Sequence, residues 1–261
     1  MRSLEIAATG MLAQQLNVEV ISNNIANLNT TAFKRQRAEF QDLLYQNERR
    51  VGATSSDTGT IVPVGVQIGS GVKAAAVYRM SDQGNLTNTN NPLDLAIEGE
   101  GYFQILMPDG TTAYTRDGSF QLSPTGEIVT ADGYVVQPGI TLPTNTTAVT
   151  VNNNGQVLAT IAGQQTPQTV GQLQLANFPN QAGLQALGGN YLQETPASGA
   201  ATVGNPGTTS YGTLQQGYLE TSNVNIVTEI TNLISAQRAY EMNSKVIQTA
   251  NDMESTLTQI H

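Results

Sequence analysis

The sequence contains no cysteine, no tryptophan and a single histidine, His261, at the last position. Without cysteine there is no thiol nucleophile, no disulfide and no thiolate metal site. A lone histidine at the end of a chain has nothing to hold it, so neither a Ser-His-acid triad nor a histidine-ligated metal is expected. Charge is sparse as well: charged residues make up 12% and aromatics 5% of the 261 residues. No apolar run approaches the roughly 18–20 residues that cross a bilayer, so no membrane insertion is expected. The opening "MRSLEIAATGMLAQQ" places Glu5 and several polar groups where a signal peptide needs an unbroken apolar core. The expectation is therefore a chain that stays in the cytoplasm or leaves by a route that reads no cleavable signal.

Asn, Gln, Thr, Ser and 25 glycines fill the deficit, a mixture suited to β-rich folds with many turns. The net charge of −9 is unevenly spread, with +1 over residues 1–50, −7 over 51–219 and −3 over 220–261. An acidic middle repels phosphates, which argues against a nucleic-acid partner. The basic cluster Lys34, Arg35, Arg37 is followed within a turn by Glu39 and Asp42, the pattern of a solvated or subunit-pairing face.

The two ends read as helices. Leu4, Ala8, Met11, Gln15, Val18, Ser22 and Ile25 are spaced alternately by four and three, the seam of a helix against another helix. Such a helix of about 24 residues would be about 36 Å long, and a stripe that narrow cannot be buried without a partner. At the far end, Asn225 to Ile260 contains neither Gly nor Pro. Ile226, Ile230, Leu233 and Ile234 mark its upper part, and Val246, Ala250, Met253, Leu257 and Ile260 its lower part. Ser222 or Asn223 is the expected N-cap, with Glu229 suiting the helix dipole. Two ordinary amphipathic helices on a globular core remain open on pattern alone. Helices with such seams are marginal in isolation, so both ends are expected to be loosely held in a free subunit and to pair mainly within an assembly.

Between the ends lie strands. Asp109-Gly110, Asp117-Gly118, Thr125-Gly126 and Asp132-Gly133 punctuate short β-branched and aromatic runs, as successive hairpins do. Repeated Asp-Gly matches neither calcium-loop pattern, so turn chemistry is the better account. Glu98-Gly99-Glu100-Gly101 would face phosphates with two acids and is no nucleotide loop. Residues 195–213 read as a flexible or extended return strand. The fold class is thus α+β. Residues 1–30 with 223–261 are expected to form a terminal helical domain, 31–90 with 201–222 a connecting region, and 91–200 a β-rich outer domain. The first helix is expected to break on a polar turn and restart at Phe33 and Lys34. Residues 46–63, "QNERRVGATSSDTGTIVP", form a polar insert too long for a tight turn, with Arg49 and Arg50 before its Gly/Ser/Thr run and Pro63 at its end. No acid/base pair, phosphate loop or dinucleotide fingerprint appears, so an enzyme is not expected.

Three stretches carry a resemblance. "ISNNIANLNTTAFKRQRAEFQDLL" resembles the N-terminal signature of the bacterial flagellar rod and hook axial proteins, and "QGYLETSNVNIVTEITNLISAQRAYEMNSKVIQTANDM" their C-terminal signature. "AIEGEGYFQI" with "YTRDGSFQLSPTGEIVTADGYVVQ" is similar to their shared β domain. Length near 260, "ETSNVN" and the stretch after Leu43-Leu44-Tyr45 look most like the distal-rod branch. Ala32 departs from the glycine common before Phe-Lys, which is acceptable if that position has negative φ.

The resemblance implies a non-enzymatic axial subunit without cofactor, exported uncleaved by the flagellar type III apparatus and stacking helically with copies of itself. It implies terminal helices around a central channel and β domains outside. Implied neighbours are proximal rod proteins, hook or hook-junction proteins, the surrounding P and L ring proteins and the rod cap. Leu4, Ala8, Met11, Val18, Ile25, Ile230, Leu233, Val246, Ala250, Met253, Leu257 and Ile260 are the expected assembly interface. Asn23, Asn24, Asn27, Phe33 and Lys34 are the expected hinge between inner and outer layers. Arg49, Arg50 and Pro63 mark the insert that would stiffen a straight rod. A proximal-rod or hook relative and a non-flagellar coiled-coil stalk are the alternatives.

Overall fold

The computed structural model describes residues 2–49, 64–164 and 166–259, with the side chains of 257–259 excepted. One long helix stands at each end: α1, Arg2–Ala26, and α2, Ile226–Gln259. Antiparallel strands occupy the middle. By contacts within the chain there are two compact units. The first comprises 1–26, 36–79 and 225–261; the second comprises 27–35 and 80–224. Residues 36–79 thus group with the helices, whereas 80–90 and 201–224 group with the β-rich middle.

In the first unit α1 packs on α2 and on the antiparallel pair Gln36–Asp42 with Val72–Arg79. The helix does not restart after the turn at 27–32. Residues 36–42 alternate, with Gln36, Ala38 and Phe40 half-buried and Arg37, Glu39 and Gln41 exposed. A period of two suits a strand with one covered face, and this overrides the helix-forming composition of "KRQRAEF". Strand Tyr45–Arg49 pairs antiparallel with Val66–Gly69, so the described flanks of the polar insert form a two-stranded ribbon. Arg50 and 51–63, with Pro63 among them, lie outside the described residues.

The N-cap of α2 is Asn225, not Ser222 or Asn223. Its Oδ1 accepts from the backbone N–H of Val227 at 3.1 Å and of Thr228 at 3.2 Å, satisfying two donors that the helix cannot use itself.

The second unit is built around the strand Tyr102–Leu106, which pairs with Thr112–Thr115, Val135–Val136 and Leu175–Asn177. Phe103 and Ile105 point into a core with Leu95, Ile97, Phe120, Val157, Leu173 and Leu214. Tyr102, on the opposite face, packs with Tyr114, Phe178 and Leu184. A strand covered on both faces reads as a continuous apolar run, as "YFQIL" nearly does.

Three of the four expected turns are turns. Gly110, Gly126 and Gly133 all have φ between 82° and 85°, in the region that glycine enters without penalty. Asp117-Gly118 is different. It does not close a hairpin, because the chain passes on to Gln121–Leu122, whose partner is Ile128–Val129. A Cβ on Gly118 would run into the carbonyl of Leu95, whose N–H donates to Gly118 O at 3.0 Å. Here glycine permits a close backbone approach rather than a turn.

Candidate functional site

Two features gather the motif residues: the faces of the paired helices, and a buried ion cluster in the β-rich unit. Along α1 the buried residues are Ala7, Ala13, Val20, Ile21 and Asn24. On α2 they are Glu229, Ala236 and Ala250. The helices pair through small side chains, and a Cβ on Gly10 would stand 2.8 Å from Asn243 Nδ2. Small residues allow close approach, so this face is set by what fits rather than by what is most apolar.

The seam expected from the sequence is therefore not the main intramolecular contact. Leu4, Ala8, Met11, Val18, Ile25 and Leu233 are half-buried, and only Ala250 is buried. Ile230, Val246 and Met253 are 44%, 46% and 61% exposed. Ile226, Val227, Ile234 and Met242 are exposed beside them. The side chain of Leu257 and the whole of Ile260 lie outside the described residues. Among the described residues, α2 thus leaves several large apolar side chains in water in the folded chain.

The expected hinge divides. Asn23 and Asn24 belong to the last turns of α1, whereas Asn27, Phe33 and Lys34 belong to the β-rich unit. Asn24 is 1% exposed and grips the backbone of Gln36 from both sides. Its Nδ2 donates to Gln36 O, and its Oδ1 accepts from Gln36 N, each at 2.8 Å. Asn27 accepts from Thr30 through both its carbonyl and its side chain, closing the turn. Phe33 is half-buried. Ala32 sits at φ 56°, contrary to the negative φ expected for a non-glycine residue. Its N–H donates to Glu220 O at 2.8 Å, and this long-range pairing holds the residue in the left-handed region despite its Cβ.

Lys34 is not on a solvated face. Its Nζ donates to Glu220 Oε1 at 2.6 Å and to Asp82 O at 2.8 Å. Glu220 also accepts from Arg116 Nε at 2.8 Å and from the Gly84 N–H at 2.8 Å. Arg116 spends its remaining donors on the carbonyls of Gly99 at 2.8 Å, Gly101 at 3.0 Å and Ile97 at 3.3 Å. Gly99 and Gly101 have φ of 107° and 136°, which explains the Glu-Gly-Glu-Gly stretch: it turns carbonyls onto a guanidinium. Burial pushes the Glu220 carboxyl upward, but Arg116, Lys34 and the Gly84 N–H outweigh it and hold the group below its usual range. For Lys34 burial is the largest influence and lowers its pKa despite the attraction of Glu220, with Arg116 adding repulsion. The sequence singled out Lys34 but missed Arg116 and Glu220, although both stand inside the quoted motifs.

Among the described residues no three His, Cys, Asp or Glu side chains gather as a metal site, and no helix is long and apolar enough to cross a membrane. An open cleft of about 460 Å³, lined by Pro92, Leu93, Leu122, Pro124, Leu142 and their neighbours, carries no carboxylate, amine or imidazole. Arg49 ends the ribbon strand Tyr45–Arg49 and is exposed.

Comparison with known proteins follows the same three stretches. Residues 4–34 match the family described as "Flagella basal body rod protein". Residues 96–159 match "Flagellar hook protein FlgE/F/G D1 domain", and 215–260 match "Flagellar basal body rod FlgEFG protein C-terminal". A "Flagellar basal-body rod protein FlgG" of Caulobacter vibrioides is 61% identical over 100% of this chain and 99% of its own. Proteins of the same name from Agrobacterium fabrum and Bacillus subtilis are 54% and 38% identical, covering 99% and 100% of this chain and 99% of each relative. With all three motifs matched and such identity from end to end, the chain belongs to the flagellar basal-body rod protein family.

Proposed function

We propose that this protein is a structural subunit of the bacterial flagellar rod, in its distal part, and not an enzyme. The observation that carries the reading is end-to-end similarity to basal-body rod proteins, 61% in one case. Copies stack helically into a straight drive shaft that transmits torque toward the hook. The terminal helices line an inner layer around an export channel. The subunit reaches the periplasmic rod through the flagellar type III apparatus without cleavage. There it meets proximal rod proteins, hook or hook-junction proteins, the P and L rings and the rod cap.

Two surface features support a polymer. The exposed apolar side chains on α2, including Ile230, Val246 and Met253, gain burial when a neighbouring copy covers them. The ribbon of Tyr45–Arg49 with Val66–Gly69 is exposed at nearly every position, and a two-stranded ribbon is marginal by itself in water. Contact with an adjacent copy would stabilise it and resist subunit sliding, which is how the insert would stiffen the rod. Exposed Arg49 adds little, since exposed ion pairs contribute about 0–1 kcal/mol.

The test is electron microscopy of the purified protein at high concentration, beside a variant lacking 46–63. Tubes or rods are expected from the parent, and folded but more curved or flexible rods from the deletion. Inert monomers from the parent would overturn the polymer, and equally straight rods from the deletion would overturn the stiffening role.

A further inference from the structure

We infer that Lys34, Glu220 and Arg116 form an ion-pair latch that holds segment 27–35 against the rest of the β-rich unit and releases it through Lys34 alone. The three residues come from the three stretches that are most distinctive in the sequence. They lie 104 and 186 positions apart along the chain yet converge on one carboxylate.

The members are not equivalent. Arg116 makes four hydrogen bonds, three of them to carbonyls on its own side of the cluster. It forms with Glu220 a charge-balanced pair whose side chains are 7% and 1% exposed. Such a pair, with its other donors satisfied, is not left with an uncompensated charge. Lys34 is the supernumerary cation. Its side chain is 10% exposed, and it holds only Glu220 and the Asp82 carbonyl. Swinging Lys34 into water leaves a neutral Glu220–Arg116 pair behind, whereas removing Glu220 strands two buried cations and removing Arg116 takes away the donor that faces the Ile97, Gly99 and Gly101 carbonyls.

The latch acts on a segment that also bonds to its surroundings through the backbone, Met80 N–H donating to Arg35 O at 2.8 Å. Ala32 N–H donates to Glu220 O, Phe33 O accepts from Asn223 N–H at 3.3 Å, and Arg35 N–H donates to Asn223 Oδ1 at 2.7 Å. Asn190 Nδ2 reaches Thr31 O at 3.2 Å. Three of these bonds depend on the short stretch Tyr218–Asn223 staying beside the segment, and Lys34 clips that stretch to the segment by way of Glu220. A unit with its own two-sided core does not need residues 27–35 to stay folded, so the segment can open as a local event below the global unfolding energy.

Hydrogen exchange resolved by peptide, on the full-length chain, tests this. Lys34→Met is expected to speed exchange of residues 31–35 about tenfold or more, with residues 103–106 as protected as in the parent. Glu220→Gln, which keeps the shape but removes the charge, is expected to release the same segment; if it fails to fold, Lys34→Met decides alone. Unchanged protection of 31–35 in Lys34→Met would show that the backbone bonds suffice and would overturn the latch. Exchange raised equally in both regions would overturn it too, because Lys34 would then be an ordinary part of the core.

Discussion

Val246 and Ala250 stand one helical turn apart on α2 and separate folding from assembly. Val246 is 46% exposed, whereas Ala250 is 9% exposed against the intramolecular face. Val246→Asp places its carboxylate in water in the free chain, so the cost there is within about 0.5 kcal/mol, as for most surface changes. In the proposed polymer a neighbouring copy would cover the same position. Burying the exposed half of a valine contributes about 1 kcal/mol, which the substitution forfeits, and desolvating an unpaired carboxylate costs several more before relaxation. A loss of about 4 kcal/mol per subunit is roughly a thousandfold in subunit affinity. Ala250→Asp reverses the order: it forces a charge into the α1–α2 contact and should loosen the helices of the free chain by about 3 kcal/mol. The assays are thermal melting of the purified chain by far-ultraviolet circular dichroism, sedimentation of polymer, and motility. Val246→Asp should melt like the parent and fail to sediment; Ala250→Asp should lose helical signal before any assembly step. Normal sedimentation and motility of Val246→Asp would refute the assignment of these exposed side chains to the interface.

Ala32 at φ 56° gives a second prediction. Ala32→Gly relieves about 1–2 kcal/mol of left-handed strain but loses about 0.8 kcal/mol of methyl burial and about 0.4–1 kcal/mol through the freer unfolded chain. It should lie within about 1 kcal/mol of the parent in urea unfolding, while β-branched Ala32→Val should cost about 2 kcal/mol or more; a Val variant as stable as the parent would contradict the positive φ. A third concerns acid. Because Glu220 titrates below 4.5 when folded, held down by Arg116 and Lys34 beyond what burial adds, its contribution is present above the unfolded value and is lost as pH falls through the lowered one. The melting temperature of the β-rich unit should drop below about pH 4.5, and Glu220→Gln should show a shallower acid limb; parallel limbs would exclude Glu220 as a source. The Lys34 shift acts in the same direction, in a window at high pH. Its proton is held less tightly folded than unfolded, so its contribution grows as pH rises toward 10.5.

The sequence by itself determined the helical ends and the β-rich middle. Each rests on local information: four-three spacing around Met11 and Ala250, and turn residues such as Asp109-Gly110. The family was equally legible, because its motifs are contiguous. The tertiary structure alone decided which helix faces pair, since Ala7, Gly10, Ala13 and Ala236 win on close approach against the more apolar Val246 and Met253. It also decided that residues 36–42 extend, because Val72–Arg79 supplies the partner strand. Only folding brings Lys34 and Arg116 to Glu220. A buried charge is placed by partners far along the chain, and neither residue spacing nor local propensity records who those partners are.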